Sequence, residues 1–410
     1  MHWMVRLEGG PRRVNHAAVR LGDWIYSFGG YCSNENPSPD SPIDIHRLNC
    51  TSYRWRQVHS ANETLGEKCV PAENMEDDDP HRHDVPYQRY GHTVVAFGGK
   101  AYLWGGRNDE FGASSALHEY NPRTNTWCLV EAKGNPPAAR DGHSALVYKD
   151  WMIIFGGFEE ETQRFSQETF IYNFLTQEWK DLACGGVVPN WRDFHTAAVL
   201  EDNMYIFGGR SDVMGQFHST NDEYDTKLRV LNLKTSQWSV VESTGQAPDG
   251  RRSHSAWTYK GCMYIFGGYD GKKNVHFNDL FVFNPAKNNE WTKLTPRGAM
   301  PSERRRQCTV EANGRVFLFG GTMPHGAAKT TSALAGQTNA VINQGLSDLA
   351  DLYVLDYQPS LYHLCARTVI EKLTVGTHYY ALPREISYDL ENMTSNNSVM
   401  VSTTKREREG

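Results

Sequence analysis

Four arginines, Arg107, Arg210, Arg252 and Arg305, stand at positions where a fixed fork of N–H donors could grip an anion. A planar guanidinium matches a carboxylate or phosphate with paired hydrogen bonds. Tyr31, Tyr90, Phe158 and Tyr269 accompany them as flat apolar walls, three with a hydroxyl at the tip. Asp141 and Asp193 supply negative charge that could meet a basic group, and Ser253, next to Arg252, offers a hydroxyl donor. This set suits a non-covalent grip on a short peptide end, with its carboxylate among the arginines and a cationic side chain near the acids. Nothing in it requires a cofactor, and no metal site is expected.

These residues can meet only if the chain repeats, and it does. Six short β-rich runs end in a glycine doublet: Gly29-Gly30, Gly105-Gly106, Gly156-Gly157, Gly208-Gly209, Gly267-Gly268 and Gly320-Gly321. Sixteen residues before each first glycine stands an arginine: Arg13, Arg89, Arg140, Arg192, Arg251 and Arg304. Thirteen before stand His16, His92, His143, His195 and His254, with Gln307 in the sixth unit. Trp127, Trp179, Trp238 and Trp291 each precede a doublet by 29 residues, whereas Trp55 precedes its doublet by 50, which requires an insertion. Six tryptophans serve six doublets only if Trp3, at the start of the chain, completes the last unit. A side chain present in every unit reads as scaffold. The residues that differ, directly after each doublet and each register arginine, are the candidates named above.

A period of roughly 50 residues with four short strands is the signature of a propeller blade. The doublets with their spaced aromatics and tryptophans resemble the kelch repeat over about residues 3–357. That resemblance implies an all-β, six-bladed kelch β-propeller over 1–357, closed by the N-terminal strand. Antiparallel strands alternate in direction, so the connections carrying the candidate residues should emerge on one face. Insertions at 60–85, 211–227 and 323–346 extend the same connections and read as mobile loops. The first contains Glu76-Asp77-Asp78-Asp79 and then His81 and His83, read as a solvated acidic loop.

Composition narrows the function classes. Lys and Arg number 42 against 48 Asp and Glu, a net charge of −6, which argues against a dedicated nucleic-acid binder. No run approaches the ~20 apolar residues of a membrane helix. The eight cysteines include no CxxC pair, and Met1-His2-Trp3-Met4-Val5-Arg6 lacks a leader pattern. A cytoplasmic and nuclear location, with reduced thiols, is the expectation.

After Pro359 the period becomes helical. Leu361, Leu364, Cys365 and Val369 share a helix face after Ser360, a suitable N-cap. The segment resembles an elongin-binding box, small-Leu-x-x-x-Cys-x-x-x-aliphatic. Downstream, Leu382, Pro383, Ile386 and Leu390 resemble a cullin-2 box. A helical segment over 358–391 and a disordered tail over 392–410 are therefore expected. The constellation, with Gly9-Gly10-Pro11-Arg12-Arg13-Val14-Asn15-His16, resembles kelch-repeat substrate receptors of cullin-2–RING ubiquitin ligases that read C-terminal glycine degrons. That resemblance implies elongin B, elongin C and cullin-2 with its RING subunit as partners, catalysis by those partners, and proteins ending in glycine as substrates. It also carries the carboxylate-clamp role onto Arg210 and Arg252, with Ser253 beside them. A further arginine, present in a relative that prefers Gly-Gly ends, is missing from Ser211-Asp212-Val213-Met214-Gly215-Gln216. The chain's own end, Glu409-Gly410, could occupy the pocket by self-association. A chromatin-associated or scaffolding kelch protein without ligase activity is the alternative. A copper-oxidase reading is disfavoured, because the histidines repeat in a packing register.

Overall fold

The second strand of every repeat unit is buried without alternation over its last four residues, as in Trp151–Phe155 and Arg315–Phe319. A strand enclosed on both faces by neighbouring sheets has no polar side to present. The computed structural model describes residues 1–62, 83–219, 221–325, 345–372 and 382–399. They form six main sheets, each built on four antiparallel strands. The first comprises Ala17–Leu21, Trp24–Phe28, Ile45–Asn49 and Trp55–Val58. In the sixth, Cys308–Ala312, Arg315–Phe319 and Leu352–Asp356 are joined by the N-terminal strand His2–Leu7. That strand pairs antiparallel with Leu352–Asp356, from His2 opposite Asp356 to Leu7 opposite Leu352. Trp3 thereby takes the sixth tryptophan position, buried edge-on against Phe266 and Tyr353.

The doublets join one sheet to the next. The second glycine of each donates its N–H to the carbonyl of the following unit's register arginine: Gly30 to Arg89, Gly106 to Arg140, Gly157 to Arg192, Gly209 to Arg251 and Gly268 to Arg304, at 2.8–2.9 Å. Gly321 of the sixth unit donates to Arg13 of the first at 2.9 Å. Side chains are excluded here. A Cβ on Gly105, at φ +70°, would lie 2.5 Å from His143 Cε1 of the next unit.

Outer strands are covered, which keeps edges from pairing with other chains. Lys133–Gly134, Gly185–Gly186 and Thr244–Gly245 add short parallel strands beside Trp179, Trp238 and Trp291. At Gly134, Gly186 and Gly245 a Cβ would lie 2.2–2.3 Å from the carbonyl of that tryptophan. The first unit departs from this pattern. Gly9 has the same left-handed φ, +79°, yet its neighbour is Asn397. Asn397 N donates to Glu8 O (2.8 Å) and Val399 N to Gly9 O (3.1 Å), while Trp55 N donates to Asn397 Oδ1 (3.0 Å). Residues 396–399 are thus threaded between the incoming connection and the outer strand.

This corrects the expectation of a disordered tail from residue 392. The first helix, Leu361–Lys372, begins with His363 N donating to Ser360 Oγ (3.2 Å). The second, Arg384–Thr394, buries Leu390, Asn392 and Met393, the apolar pair joining the cluster of Val5, Leu7, Leu48 and Trp55. Arg54 Nη2 donates to Glu391 O near its end (3.1 Å). A polar composition masked a segment whose asparagines bond backbone. In the 211–227 insertion, Ser211–Asp212 likewise pairs with Asp222–Glu223 as a hairpin. The acidic run at 76–79, His81, most of 323–346 and the end from 400 lie outside the described residues.

Replacing Asn397 with Ala leaves the Trp55 N–H without its partner, and a buried unsatisfied donor costs about 1–3 kcal/mol. Urea denaturation of N397A should show a loss of that size. An unchanged unfolding free energy would mean that 396–399 contributes nothing to the seam.

Candidate functional site

The candidate positions meet in pairs. The residue after each register arginine is bridged through backbone hydrogen bonds to the residue after each doublet: Val14 with Tyr31, Tyr90 with Arg107, Asp141 with Phe158, Asp193 with Arg210, Arg252 with Tyr269 and Arg305 with Thr322. One residue further along, Asn15, Gly91, Gly142, Phe194, Ser253 and Arg306 all adopt left-handed φ between +50° and +70°. Each donates its N–H to the carbonyl of its counterpart in the preceding unit. The series runs from Gly91 to Asn15 and returns through Asn15 to Arg306 (3.3 Å), the other five spanning 2.7–3.0 Å. These six residues line one cavity together with His16, His92, His143, His195, His254 and Gln307. Apart from Ser253, sequence reasoning passed over this circuit, although Gly and Asn two residues after three of the arginines were a signal. Phe194, Ser253 and Arg306 hold the strained conformation without glycine, and such strain gathers at functional sites.

The repeating side chains are scaffold. Arg89, Arg140, Arg192, Arg251 and Arg304 are buried, each donating Nη1 to the carbonyl of its own doublet's first glycine (2.8–3.4 Å). All but Arg89 also meet a carboxylate: Glu159, Asp225, Asp279 and Asp351. Arg89 has none among the described residues. Its guanidinium lies 3.8 Å over Tyr87, and burial brings it down to about 10. The histidines lie between units, His92 Nε2 on Phe28 O (3.1 Å) and His143 Nε2 on Thr93 Oγ1 (2.8 Å). Gln307 Nε2 donates to Phe266 O (3.1 Å), the same bond that His92 makes. Burial pushes His16 and His92 down to about 3, and His143, His195 and His254 well below their ordinary value.

The rim is divided by charge. The arginines of the second and fourth units are paired within the chain. Arg107 meets Glu160 (3.0 Å), and Arg210 grips Asp193 with two nitrogens, Nε to Oδ1 at 3.1 Å. Asp193 is fully buried, which corrects its reading as an acid open to an incoming cation. Residues directly opposite in an antiparallel bridge bring their side chains together, so Arg210 reaches it first. Asp141 is also buried, and burial followed by Asp193's charge pushes it up to about 7. Phe158 packs edge-on against Phe165 (5.4 Å).

Across the mouth the charges are all positive. Arg305 lies 4.3 Å and Arg252 5.6 Å over the ring of Tyr269, and Arg306 Nη1 donates to Tyr31 Oη (2.7 Å). No carboxylate pairs with these three arginines among the described residues, and the Nε of each is buried without a partner. Burial, then Arg306 and Arg252, brings Arg305 down to about 10. Tyr90 extends the wall edge-on to Tyr31 (5.3 Å). Like charges held together with unused donors are the arrangement that an anion would complete.

On the helices, Leu361 is 77% exposed and Cys365 is exposed, while Leu364 and Val369 are half-buried. Leu382 and Pro383 are exposed and Ile386 is half-buried. Leu390 is 1% exposed, so its place in a cullin-contacting face is corrected: it joins Met393 against the sheets. Among the described residues no group of three or more His, Cys, Asp and Glu could hold a metal ion.

Residues 91–321 match the KLHDC2/KLHL20/DRC7 Kelch-repeats domain, and residues 12–60 match the Kelch motif. The chain is 40% identical to Kelch domain-containing protein 3 of Homo sapiens over 400 residues, 97% of each chain. It is 29% identical to Kelch domain-containing protein 1 of Homo sapiens over 341 residues, 76% of this chain and 75% of that one. Acyl-CoA-binding domain-containing protein 4 of Arabidopsis thaliana is 29% identical over 277 residues, 67% of this chain and 38% of that one.

The buried histidines make stability depend on pH. Their folded values lie below the 6.5 of a free imidazole, so the folded state binds fewer protons. For His16 and His92 the contribution is complete above about pH 6.5 and is lost as pH falls toward about 3, at up to about 1.4 kcal/mol per pH unit for each histidine. Urea unfolding at several pH values should show this slope. His92→Gln, which can repeat Gln307's bond, should flatten it by one histidine's share; an unaltered slope would contradict the assignment.

Proposed function

We propose, from the premise that this chain belongs to the Kelch-repeat family that includes Kelch domain-containing protein 3, that it is a non-catalytic receptor for the C-terminal ends of other proteins. The carrying observation is the cluster of Arg252, Arg305 and Arg306, walled by Tyr31 and Tyr269 and without a carboxylate among the described residues. A terminal carboxylate supplies the missing charge, and Ser253 adds a donor on the floor of the mouth. Arg210, already paired with Asp193, supports the wall. A terminal glycine has no side chain to clash where six backbone segments converge, in keeping with a C-terminal glycine degron as ligand.

In this reading the six sheets close as a six-bladed kelch propeller, supported by the Gly321–Arg13 bond and by strand His2–Leu7 in the sixth sheet. The helices attach the receptor to a cullin-2–RING ubiquitin ligase in the cytoplasm and nucleus. Exposed Leu361 and Cys365 offer a face to elongin C, with elongin B in the complex, and Leu382, Pro383 and Ile386 are left for cullin-2. A scaffolding kelch protein without ligase activity is the alternative, and it needs no elongin face.

Arg252→Ala and Arg305→Ala should each weaken a glycine-ended peptide by about 1.5–3 kcal/mol, the range for charge-assisted hydrogen bonds. Amidating the peptide's terminus should do the same in a fluorescence-polarisation assay. Equal binding of acid and amide would remove the carboxylate reading. For the partners, Leu361→Ala combined with Cys365→Ala should abolish co-purification of elongins B and C. Retention of both by a folded variant would favour the scaffold.

A further inference from the structure

The hairpin after Arg210 is apolar at its tip where the other described connections on that face carry charge or bury their rings. Val213, Met214 and Phe217 are 61%, 76% and 58% exposed. The corresponding tips hold Glu160 and Glu161, or Lys272 and Lys273, while Phe111 is turned inward against Tyr87. Large apolar side chains grouped in water at a mouth mark a contact surface.

This tip is held rigidly. Asp212, buried, accepts hydrogen bonds from Met214 N (2.9 Å), Ser219 N (2.6 Å) and Ser219 Oγ (2.9 Å). Phe165 N of the third unit donates to Gln216 O (2.7 Å), and Phe217 is bridged to Arg164. His218 returns the tip to the rim, with Nε2 3.5 Å from Arg210 Nη1 and its ring against Phe165. These bonds use backbone and Asp212, and the side chains of Val213, Met214 and Phe217 stay exposed to a ligand.

We propose that this tip is a second contact for the captured polypeptide, taking a large apolar side chain upstream of the terminal residue. The inference rests on the reading of the mouth as a C-terminus receptor, since a chain held by its end must leave over the rim. Its occupant is that upstream stretch. Substrates would then be selected by two features, a free terminus and an apolar residue a short extended segment before it.

The test uses the full chain and fluorescent Ser/Ala peptides of about ten residues ending in glycine, with a single leucine moved stepwise upstream. At one position leucine should tighten binding by on the order of tenfold over serine, the effect of burying one such side chain. Met214→Ser with Phe217→Ser should erase that advantage while leaving acid-over-amide discrimination intact. Leucine and serine peptides binding alike at every position, or an advantage that survives the double variant, would overturn the proposal and leave the carboxylate reading standing. Loss of acid-over-amide discrimination in the unmodified protein would remove both. Self-association abolished by the double variant would assign the tip to a second copy instead.

Discussion

One hydrogen bond, repeated six times, sets the conditions for the rest of the molecule. The N–H of the second doublet glycine reaches the carbonyl of the next unit's register arginine, and the first glycine leaves room for that unit's histidine. Because this contact is made by backbone, neither side chain of the doublet can exist. Because the arginine's own guanidinium returns in five units to the first glycine's carbonyl, the acceptor is held rigidly in place. The tryptophans, histidines and unalternated second strands then fill the space that these contacts define.

A repeated scaffold makes departures from repetition informative. The rim positions are structurally equivalent, so their differences in side chain register directly as differences in charge around one mouth. Arg107 of the second unit and Arg210 of the fourth are neutralised by Glu160 and Asp193, whereas the fifth and sixth leave three arginines near one another. The left-handed residues below show the same asymmetry. Glycine or asparagine occupies that position in the first three units, and Phe194, Ser253 and Arg306 occupy it in the others despite the strain. Such strain persists only where the surrounding structure determines it.

The chain ends reinforce the junction between the sixth and first units. Strand His2–Leu7 completes the sixth sheet, and residues 396–399 fill the gap between Gly9 and Trp55 that in the third, fourth and fifth units is closed by a connection glycine. The second helix contributes Leu390 and Met393 to the apolar cluster of that junction. The described parts of both helices therefore belong to one packed body with the sheets.

The register of arginines, histidines, glycines and tryptophans was legible in the sequence because each repeats at a fixed distance, and a fixed distance along the chain becomes a fixed place in a repeated sheet. The candidate rim residues could be named for the same reason. Which of them remain available could not be read, since Arg210's partner Asp193 lies in another strand and Arg306's partner Tyr31 in another unit. Leu390 shows the same limit: its spacing fits a docking face, and burial against Val5 and Leu7, nearly the whole chain away, assigns it elsewhere. Sequence alone determined the repeat and its scaffold, which depend on spacing. Tertiary structure decided which charges are cancelled and which face stays exposed, because both depend on distances between residues far apart in the chain.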